Sequence, residues 1–183
     1  ITSIEGRILF NSRGSKTIEV DVTSDNKFLG RVCAPSGASV GKYEAVSFPN
    51  GGPEESLKIL TQNSQKFIGL ESSDLKTIHD TLKNLDNSNN YSIIGGSLVF
   101  AITIASMESA SKSLDQPLFK TLSTDSEFKF PFPLGNILGG GAHAGPGTPD
   151  IQEILICAIG AKTIEDAIET NLAVHKELRK VLE

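Results

Sequence analysis

Cysteine, aromatic residues and clusters of like charge are all scarce in this chain of 183 residues. The two cysteines, Cys33 and Cys157, form no CxxC pair, which argues against a disulfide framework or a zinc cluster and favours a reducing, cytoplasmic compartment. The 22 acidic and 17 basic residues give a net charge of −5 and are dispersed along the chain. We therefore expect no nucleic-acid partner and no polybasic contact with a membrane.

Long hydrophobic runs are also absent. The longest uncharged apolar stretch, Tyr91 to Met107, is short for a membrane span and is interrupted by glycines and hydroxyl residues, so it predicts a buried helix. The segment Ile1–Glu5 lacks the basic and apolar regions of a secretory signal, and it lacks an initiator methionine, which indicates a trimmed chain. We therefore expect a soluble intracellular protein or a piece of one.

The first third of the chain predicts a β-sheet. Three segments rich in Ile, Val, Thr and Phe are separated by short runs of turn residues: Ile4–Phe10, Thr17–Thr23 and Phe28–Cys33. Because connections this short leave no room for a parallel crossover, an antiparallel meander is expected. Helices are predicted from Pro53 to a stop at Gly69, from Asp74, and over about residues 94–113. Residues 1–128 are thus predicted to form an α+β domain.

A second unit is predicted beyond the proline pair Pro131 and Pro133, which cannot continue a helix. Its predicted elements are strand Leu134–Leu138, a glycine-rich loop, strand Ile151–Ile159 and a helix that opens with a capping-box pattern at Thr163. Two strands and one helix do not enclose a core. Residues 131–183 are therefore expected to be the start of a domain that this chain does not complete.

Two glycine-rich segments carry the candidate chemistry. The first, Pro35–Glu44, lacks the Walker spacing, but Ser36 and Ser39 offer hydroxyl oxygens to a hard cation or a phosphate; an ordinary flexible turn is the alternative interpretation. The second, Gly139–Gly147, contains His143, whose imidazole can hydrogen-bond to a ligand or transfer protons there. The alternative for His143 is a surface histidine in a loop.

A polar pair, Gln152 and Glu153, follows the second segment at the edge of an otherwise apolar strand. A carboxylate at such an edge faces solvent, a partner or a polar cavity. Because Glu153 and His143 lie at the two ends of one loop, they can converge on a single ligand. The other two histidines, His79 and His175, lie in amphipathic helices and are interpreted as surface residues.

These motifs, in this order, resemble the enolase (phosphopyruvate hydratase) family. The matching runs are Ser12-Arg13-Gly14, Thr17-Ile18-Glu19-Val20, Pro35-Ser36-Gly37-Ala38-Ser39, Glu44-Ala45, Asn136 to Gly145, Gln152-Glu153 and Gly160-Ala161. The resemblance covers essentially the whole chain and is greatest to the archaeal branch. It implies an α+β amino-terminal domain followed by the opening β-β-α of an enolase-type α/β barrel, incomplete here.

The resemblance also implies a function. Enolases are lyases of glycolysis and gluconeogenesis that reversibly dehydrate 2-phosphoglycerate to phosphoenolpyruvate with two Mg²⁺ ions per active site, which stabilise the charge that builds up on the substrate carboxylate. A homodimer or higher oligomer is implied for the complete enzyme. A non-catalytic, enolase-like binding protein is the alternative function.

Residue roles follow by the same resemblance. Ser39 corresponds to the ligand of the second magnesium, in a lid loop that comprises Ser36, Gly37, Ala38, Ser39, Val40 and Gly41. His143 corresponds to the histidine on the phosphate side of the substrate, Gln152 to a substrate-site glutamine, and Glu153 to the carboxylate near the leaving hydroxyl and its water. Arg7 and Glu19 correspond to positions that form ion pairs across the dimer interface.

Three expectations concern the chain taken alone. In the family, the carboxylates of the first magnesium, the general-acid glutamate and the catalytic lysine lie beyond Glu183, so the chain alone is expected to be inactive. The loop Ser36–Tyr43 is expected to be mobile without ligand. The apolar residues of 131–183 are expected to remain exposed and to promote self-association.

Overall fold

The computed structural model describes the chain except for residues Ala38, Ser39, Asp125 and Ser126, and for Ala142 and His143 it describes the backbone alone. The chain divides into two compact units, Ile1–Thr124 and Asp125–Glu183. The elements of the first unit are β1 (Ser3–Phe10), β2 (Lys16–Ser24), β3 (Phe28–Cys33), α1 (Gly52–Asn63), α2 (Leu75–Leu85), α3 (Gly96–Ser113) and α4 (Leu118–Thr121). Those of the second are β4 (Leu134–Gly139), α5 (Gly141–Ala144), β5 (Glu153–Cys157) and α6 (Ile164–Leu182).

The sheet of the first unit is the antiparallel meander β1-β2-β3 that the sequence predicts. From Ile18 to Ser24, buried and half-buried residues alternate along the central strand β2, because successive side chains of a strand point to opposite faces. Ile18, Val20 and Val22 are fully buried, whereas Glu19 and Asp21 lie on the other face. The alternation therefore separates an apolar face, which packs on the helices, from a charged face.

Helix α3 lies at the centre of the core, as predicted from its apolar sequence. Ala101, Ile102 and Ala105 are completely buried, and the helix packs on strands β2 and β3. The approach to β3 is so close that a Cβ atom added to Gly30 would lie 1.9 Å from the carbonyl oxygen of Ala105. Gly30 is therefore required for packing, not for backbone freedom.

The outer edge of β3 is covered by two charged side chains of α3. The Glu108 carboxylate accepts a hydrogen bond of 2.7 Å from the N–H of Arg31, and the Lys112 ammonium donates one of 2.6 Å to the carbonyl oxygen of Leu29. The two side chains also pair with each other at 3.0 Å. Since an unpaired strand edge is a template for another strand, this pair, the edge clasp, occupies groups that a second chain would otherwise bond.

Helix α1 ends earlier than predicted. It begins with a proline in its first turn, as expected, but its last residue is Asn63, and a single 3₁₀ turn (Ser64–Lys66) replaces the final turns expected before Gly69. The tighter turn still delivers Phe67 to the core, where it is fully buried. Helix α2 begins just after Asp74, close to the predicted start, and the Asp74 carboxylate caps it by accepting a hydrogen bond of 3.1 Å from the N–H of Thr77.

The second unit is an antiparallel β4-β5 pair with α6 packed beside it. Strand β5 is shorter than the predicted Ile151–Ile159, since its partner β4 offers only six residues and the register shifts between Asn136 and Leu138. The predicted loop between the strands contains the single helical turn α5. Thr163 caps α6 as expected, because its hydroxyl oxygen accepts a hydrogen bond of 3.1 Å from the N–H of Asp166.

Many apolar side chains of the second unit are exposed, as expected, although Ile137, Leu138 and Ile156 are half-buried. Within α6 only Ala167 is buried, and Leu172 is 64% exposed. Others that are exposed include Leu134, Ile151, Ile159 and Val181. Self-association through this surface stays a prediction.

Candidate functional site

The first glycine-rich segment is bonded at its base to the turn between β1 and β2. One guanidinium nitrogen of Arg13, Nη2, lies 2.8 Å from the carbonyl oxygen of Ser36, 2.9 Å from its hydroxyl and 2.9 Å from the carbonyl oxygen of Gly37. The Asn11 amide donates a further hydrogen bond of 3.0 Å to the Ser36 hydroxyl. The start of the predicted lid loop therefore has a fixed position on the sheet.

The far end of the same segment is closed by a turn. The N–H of Gly41 donates 2.8 Å to the Glu44 carboxylate, and the N–H of Glu44 donates 3.1 Å to the carbonyl oxygen of Gly41. Between the two ends, Ala38 and the predicted magnesium ligand Ser39 lie outside the described residues. Their predicted roles, and the predicted mobility of the loop, therefore stay predictions.

The chain that follows this loop docks on the start of α3. Val46 donates from its N–H to the carbonyl oxygen of Asn90 at 2.9 Å, and its own carbonyl oxygen accepts 2.7 Å from the N–H of Gly96. The carbonyl oxygen of Ser47 accepts a third bond of 3.1 Å from the N–H of Ser97. The loop is thus held on both sides by residues of the first unit.

Asp86 organises the segment just before α3, on which Val46 and Ser47 dock. The sequence did not predict this role. Its fully buried carboxylate accepts hydrogen bonds of 2.9 Å from each of the N–H groups of Ser88, Ile93 and Ile94, and another from the Ser88 hydroxyl. Burial acts to raise the pKa of Asp86, but these hydrogen bonds outweigh it and hold the pKa below its ordinary value. The run Asp86-Asn87-Ser88 is the one sequence signal for this role, because it is typical of a turn in which the aspartate side chain bonds the backbone two residues further on.

The second glycine-rich segment begins and ends in a hairpin. Gly139 pairs with Glu153 in the β4-β5 ladder, and the N–H of Gly140 donates 2.8 Å to the carbonyl oxygen of Gln152. Gln152 and Glu153 are both exposed, at the start of β5. The predicted pair therefore lies beside the backbone that leads into α5, where His143 stands; its side chain is not among those described.

The charged face of the meander carries an ion-pair network. Arg7 contacts Glu19 at 2.9 Å and Asp21 at 2.8 Å, and Arg31 contacts the same Asp21 carboxylate at 2.7 Å. The hydrogen bond from Arg31, together with the positive charge of Arg7, lowers the pKa of Asp21. The predicted interface residues Arg7 and Glu19 thus pair with each other within one chain, across β1 and β2.

The described side chains form no group of three or more His, Cys, Asp or Glu residues that could hold a metal ion. Hard cations such as Mg²⁺ need several oxygen ligands. The described residues therefore do not by themselves fit a magnesium centre. Among the residues that the structure describes, no helix is both long and apolar enough to cross a membrane.

An α+β domain with a three-stranded meander, followed by a β-β-α segment with a glycine-rich turn, defines the class of protein. Residues 1–122 match the family model "Enolase, N-terminal domain", and residues 127–183 match "Enolase, C-terminal TIM barrel domain". The chain therefore belongs to the enolase family, whose members are phosphopyruvate hydratases, a class of lyase.

Archaeal relatives agree with this assignment. The chain is 42% identical over 180 residues to the enolase of Methanosphaera stadtmanae, which covers 98% of this chain and 43% of the relative. It is 41% identical over 184 residues to the enolase of Methanothermobacter thermautotrophicus, and the match covers 100% of this chain and 44% of that relative. It is 36% identical over 181 residues to the enolase of Archaeoglobus fulgidus, and the match covers 99% of this chain and 44% of that relative. The chain thus spans less than half the length of these curated relatives.

Proposed function

We propose that this chain is part of an enzyme that reversibly dehydrates 2-phosphoglycerate to phosphoenolpyruvate, in glycolysis and gluconeogenesis in the cytoplasm. The observation that carries the proposal is the β4-β5 hairpin, which holds the exposed Gln152 and Glu153 beside the glycine-rich backbone of Gly139 and Gly140. A polar pair whose backbone is fixed by a hairpin suits the binding of a small polar substrate. The family to which the chain belongs supplies the reaction.

Each polar residue of this hairpin has a proposed role. Glu153 accepts hydrogen bonds from the leaving hydroxyl and from the water that forms, through its exposed carboxylate, while the acid that protonates this hydroxyl is proposed to lie outside this chain. Gln152 binds the substrate through its amide. His143, carried by α5, contacts the phosphate side of the substrate, where a ring N–H can donate a hydrogen bond to a phosphate oxygen.

Magnesium enters the proposal through the family, whose members are generally Mg²⁺-dependent. The complete enzyme is proposed to bind two ions, with the hydroxyl of Ser39 as a ligand of the second when the lid loop closes. Because the described side chains form no cluster of three or more ligating groups, the carboxylates that hold the first ion are proposed to be supplied by residues outside this chain.

A homodimer is proposed for the complete enzyme, with Arg7 and Glu19 at its interface. In the chain itself these residues belong to a network with Asp21 and Arg31, so the surface offers fixed charges of both signs. Such a surface favours a partner with the complementary pattern. Sedimentation of the complete enzyme tests this proposal: Arg7→Glu should shift dimer towards monomer, and an unchanged dimer would contradict it.

The function is tested by following the ultraviolet absorbance of phosphoenolpyruvate during turnover of 2-phosphoglycerate by the complete, purified enzyme with excess Mg²⁺. Glu153→Gln removes the carboxylate with little change in volume and is expected to lower kcat by about 10²-fold or more. Glu55→Gln, which changes a half-buried carboxylate on α1 that pairs with Lys58, is the matched control and should keep kcat within about twofold.

Two results would contradict the proposal. A wild-type enzyme without turnover would leave the alternative of a non-catalytic binding protein, for which binding of 2-phosphoglycerate would then be measured by calorimetry. Equal kcat values for Glu153→Gln and Glu55→Gln would remove Glu153 from the proposed chemistry.

A further inference from the structure

The charged face of the meander carries five ionisable side chains on three neighbouring strands. Glu5 and Arg7 lie on β1, Glu19 and Asp21 on β2, and Arg31 on β3. The directly opposite pairs are Glu5 with Asp21, Arg7 with Glu19, and Asp21 with Arg31. Because the Cβ atoms of directly opposite residues lie about 4.5–5.5 Å apart, the charges of this face act on one another.

The Asp21 carboxylate lies at the centre of this face and is fully used within the chain. Arg31 binds it with a fork of two hydrogen bonds, from Nε to Oδ1 at 2.8 Å and from Nη2 to Oδ2 at 2.7 Å. Arg7 donates to the same Oδ2 atom, from Nη1 at 3.0 Å and from Nη2 at 2.8 Å. Two cations therefore compensate one carboxylate, whose side chain is only 16% exposed.

Glu5 is the carboxylate of this face that has no counterion. It is exposed, and no described residue donates a hydrogen bond to its side chain or forms an ion pair with it. Its directly opposite neighbour is Asp21, and like charges in such a pair are destabilising. A cation from outside the chain would compensate Glu5 and remove this repulsion.

Arg31 offers the opposite charge at the other side of the face. Its side chain is 50% exposed, and its Nη1 group has no acceptor among the residues that the structure describes. The fork to Asp21 fixes the plane of the guanidinium ion, so the direction of Nη1 is also fixed. Since β2 separates β1 from β3, the two strands lie about 10 Å apart. The face is therefore polarised, with an uncompensated anion on β1 and a free cationic donor on β3.

We infer that Glu5 and Arg31 recognise the partner subunit of the proposed homodimer: Glu5 binds a cationic side chain of the partner, and Nη1 of Arg31 binds a carboxylate. The inference rests on that homodimer, whose proposed interface residues are Arg7 and Glu19. Glu5 shares the face of β1 with Arg7, and Nε of Arg31 lies 3.8 Å from the Glu19 carboxylate. Two opposite charges at a fixed separation select one orientation of the partner, because the reverse orientation brings like charges together.

The test is sedimentation equilibrium of the complete enzyme at low and high salt, which gives the dissociation constant (Kd) of the dimer. The variants are Glu5→Gln, Arg31→Gln and Arg31→Lys. The matched controls are Glu71→Gln, an exposed carboxylate before α2, and Arg179→Lys, which keeps a cation beside Glu183 on α6. At low salt, Glu5→Gln and Arg31→Gln should each raise Kd about tenfold, and the controls should keep it within about twofold.

Arg31→Lys should raise Kd less than Arg31→Gln, because it keeps the charge but lacks the planar fork of donors. At high salt the Kd values of wild type and variants should converge, since exposed charges are then screened. Glu5 has no side-chain partner in the described chain, so a rise in Kd for Glu5→Gln cannot come from a lost contact of the fold. A rise in Arg31→Gln alone would indicate a merely structural loss at Asp21 and would overturn the inference.

The proposals fail in different ways. A wild-type enzyme that stays monomeric refutes the proposed homodimer and this inference together. A wild-type dimer whose Kd is unchanged in Glu5→Gln refutes the inference alone. The proposed reaction is decided separately, by turnover of 2-phosphoglycerate in the wild type.

Discussion

Replacing Asp86 by Asn exchanges one buried hydrogen-bond acceptor for a donor, while the shape of the side chain stays the same. In the wild type, Oδ2 accepts from the N–H groups of Ile93 and Ile94, and Oδ1 accepts from Ser88. In the variant one of the two atoms becomes an amide NH₂ group, which cannot accept. If that group takes the place of Oδ2, two backbone donors face a third donor in a site that water does not reach.

The expected loss is worked from these contacts. A buried donor left without an acceptor costs about 1–3 kcal/mol, and hydrogen bonds to a charged group contribute about 1.5–3 kcal/mol each. Because the loop can relax and admit water, we expect a net loss of about 3 kcal/mol in the free energy of unfolding for Asp86→Asn. The measurement is urea denaturation followed by circular dichroism. The control is Asp74→Asn, an exposed cap of α2, for which a loss below about 1 kcal/mol is expected.

The pH dependence gives an independent check. The pKa of Asp86 is lowered in the folded state from an ordinary value of 3.8. Its ionised form therefore stabilises the fold fully above that value, and this contribution is lost as the pH falls through the lower folded-state pKa. The stability difference between wild type and Asp86→Asn should thus be constant near neutral pH and shrink below about pH 4. A loss below 1 kcal/mol, or a difference that grows on acidification, would refute the reasoning.

Two further predictions concern the sheet of the first unit. The double variant Glu108→Ala/Lys112→Ala removes the edge clasp and should increase self-association in light scattering, with each single variant intermediate; no increase in the double variant would contradict a protective role for the clasp. Gly30→Ala places a methyl group against the backbone of α3 and should destabilise by about 3 kcal/mol in the same urea assay. Gly69→Ala, in open space at φ +86, should cost only about 1 kcal/mol, and equal losses at the two positions would contradict the packing argument.

The sequence predicts the parts of the fold whose residues repeat with a regular period. The alternation along β2 and the apolar character of α3 each mark an element and its buried face, because burial favours apolar residues at the positions that face the core. The ends of elements depend on neighbours that a single segment does not reveal. Ile151 and Ile159 favour a strand, yet they lie outside β5 because β4 offers them no partner.

The contacts that shape the candidate site were harder to predict. Residues 13 and 36 are 23 positions apart and their bond depends on the meander, so no local pattern could indicate it. Asp86 follows a helix, where an aspartate ordinarily occupies an exposed turn, and its main partners are seven and eight positions further on. By contrast, the hairpin position of Gln152 and Glu153 could be expected, since both stand where a strand begins.

The glycines of the second glycine-rich segment have different physical roles, and this changes the interpretation of that loop. A Cβ atom on Gly140 would lie 2.3 Å from the carbonyl oxygen of Ile151 and 2.6 Å from that of Pro149, so glycine is needed there because two stretches of backbone meet. Gly145 has open space around it but a φ of +84, which residues with side chains adopt only with strain. Close backbone packing therefore requires glycine before α5, whereas a positive φ requires it beyond α5. Because the close contact at Gly140 joins the strand before the loop to the residues just ahead of Glu153, the hairpin fixes the backbone of the proposed catalytic carboxylate through the protein's own contacts, before any substrate binds.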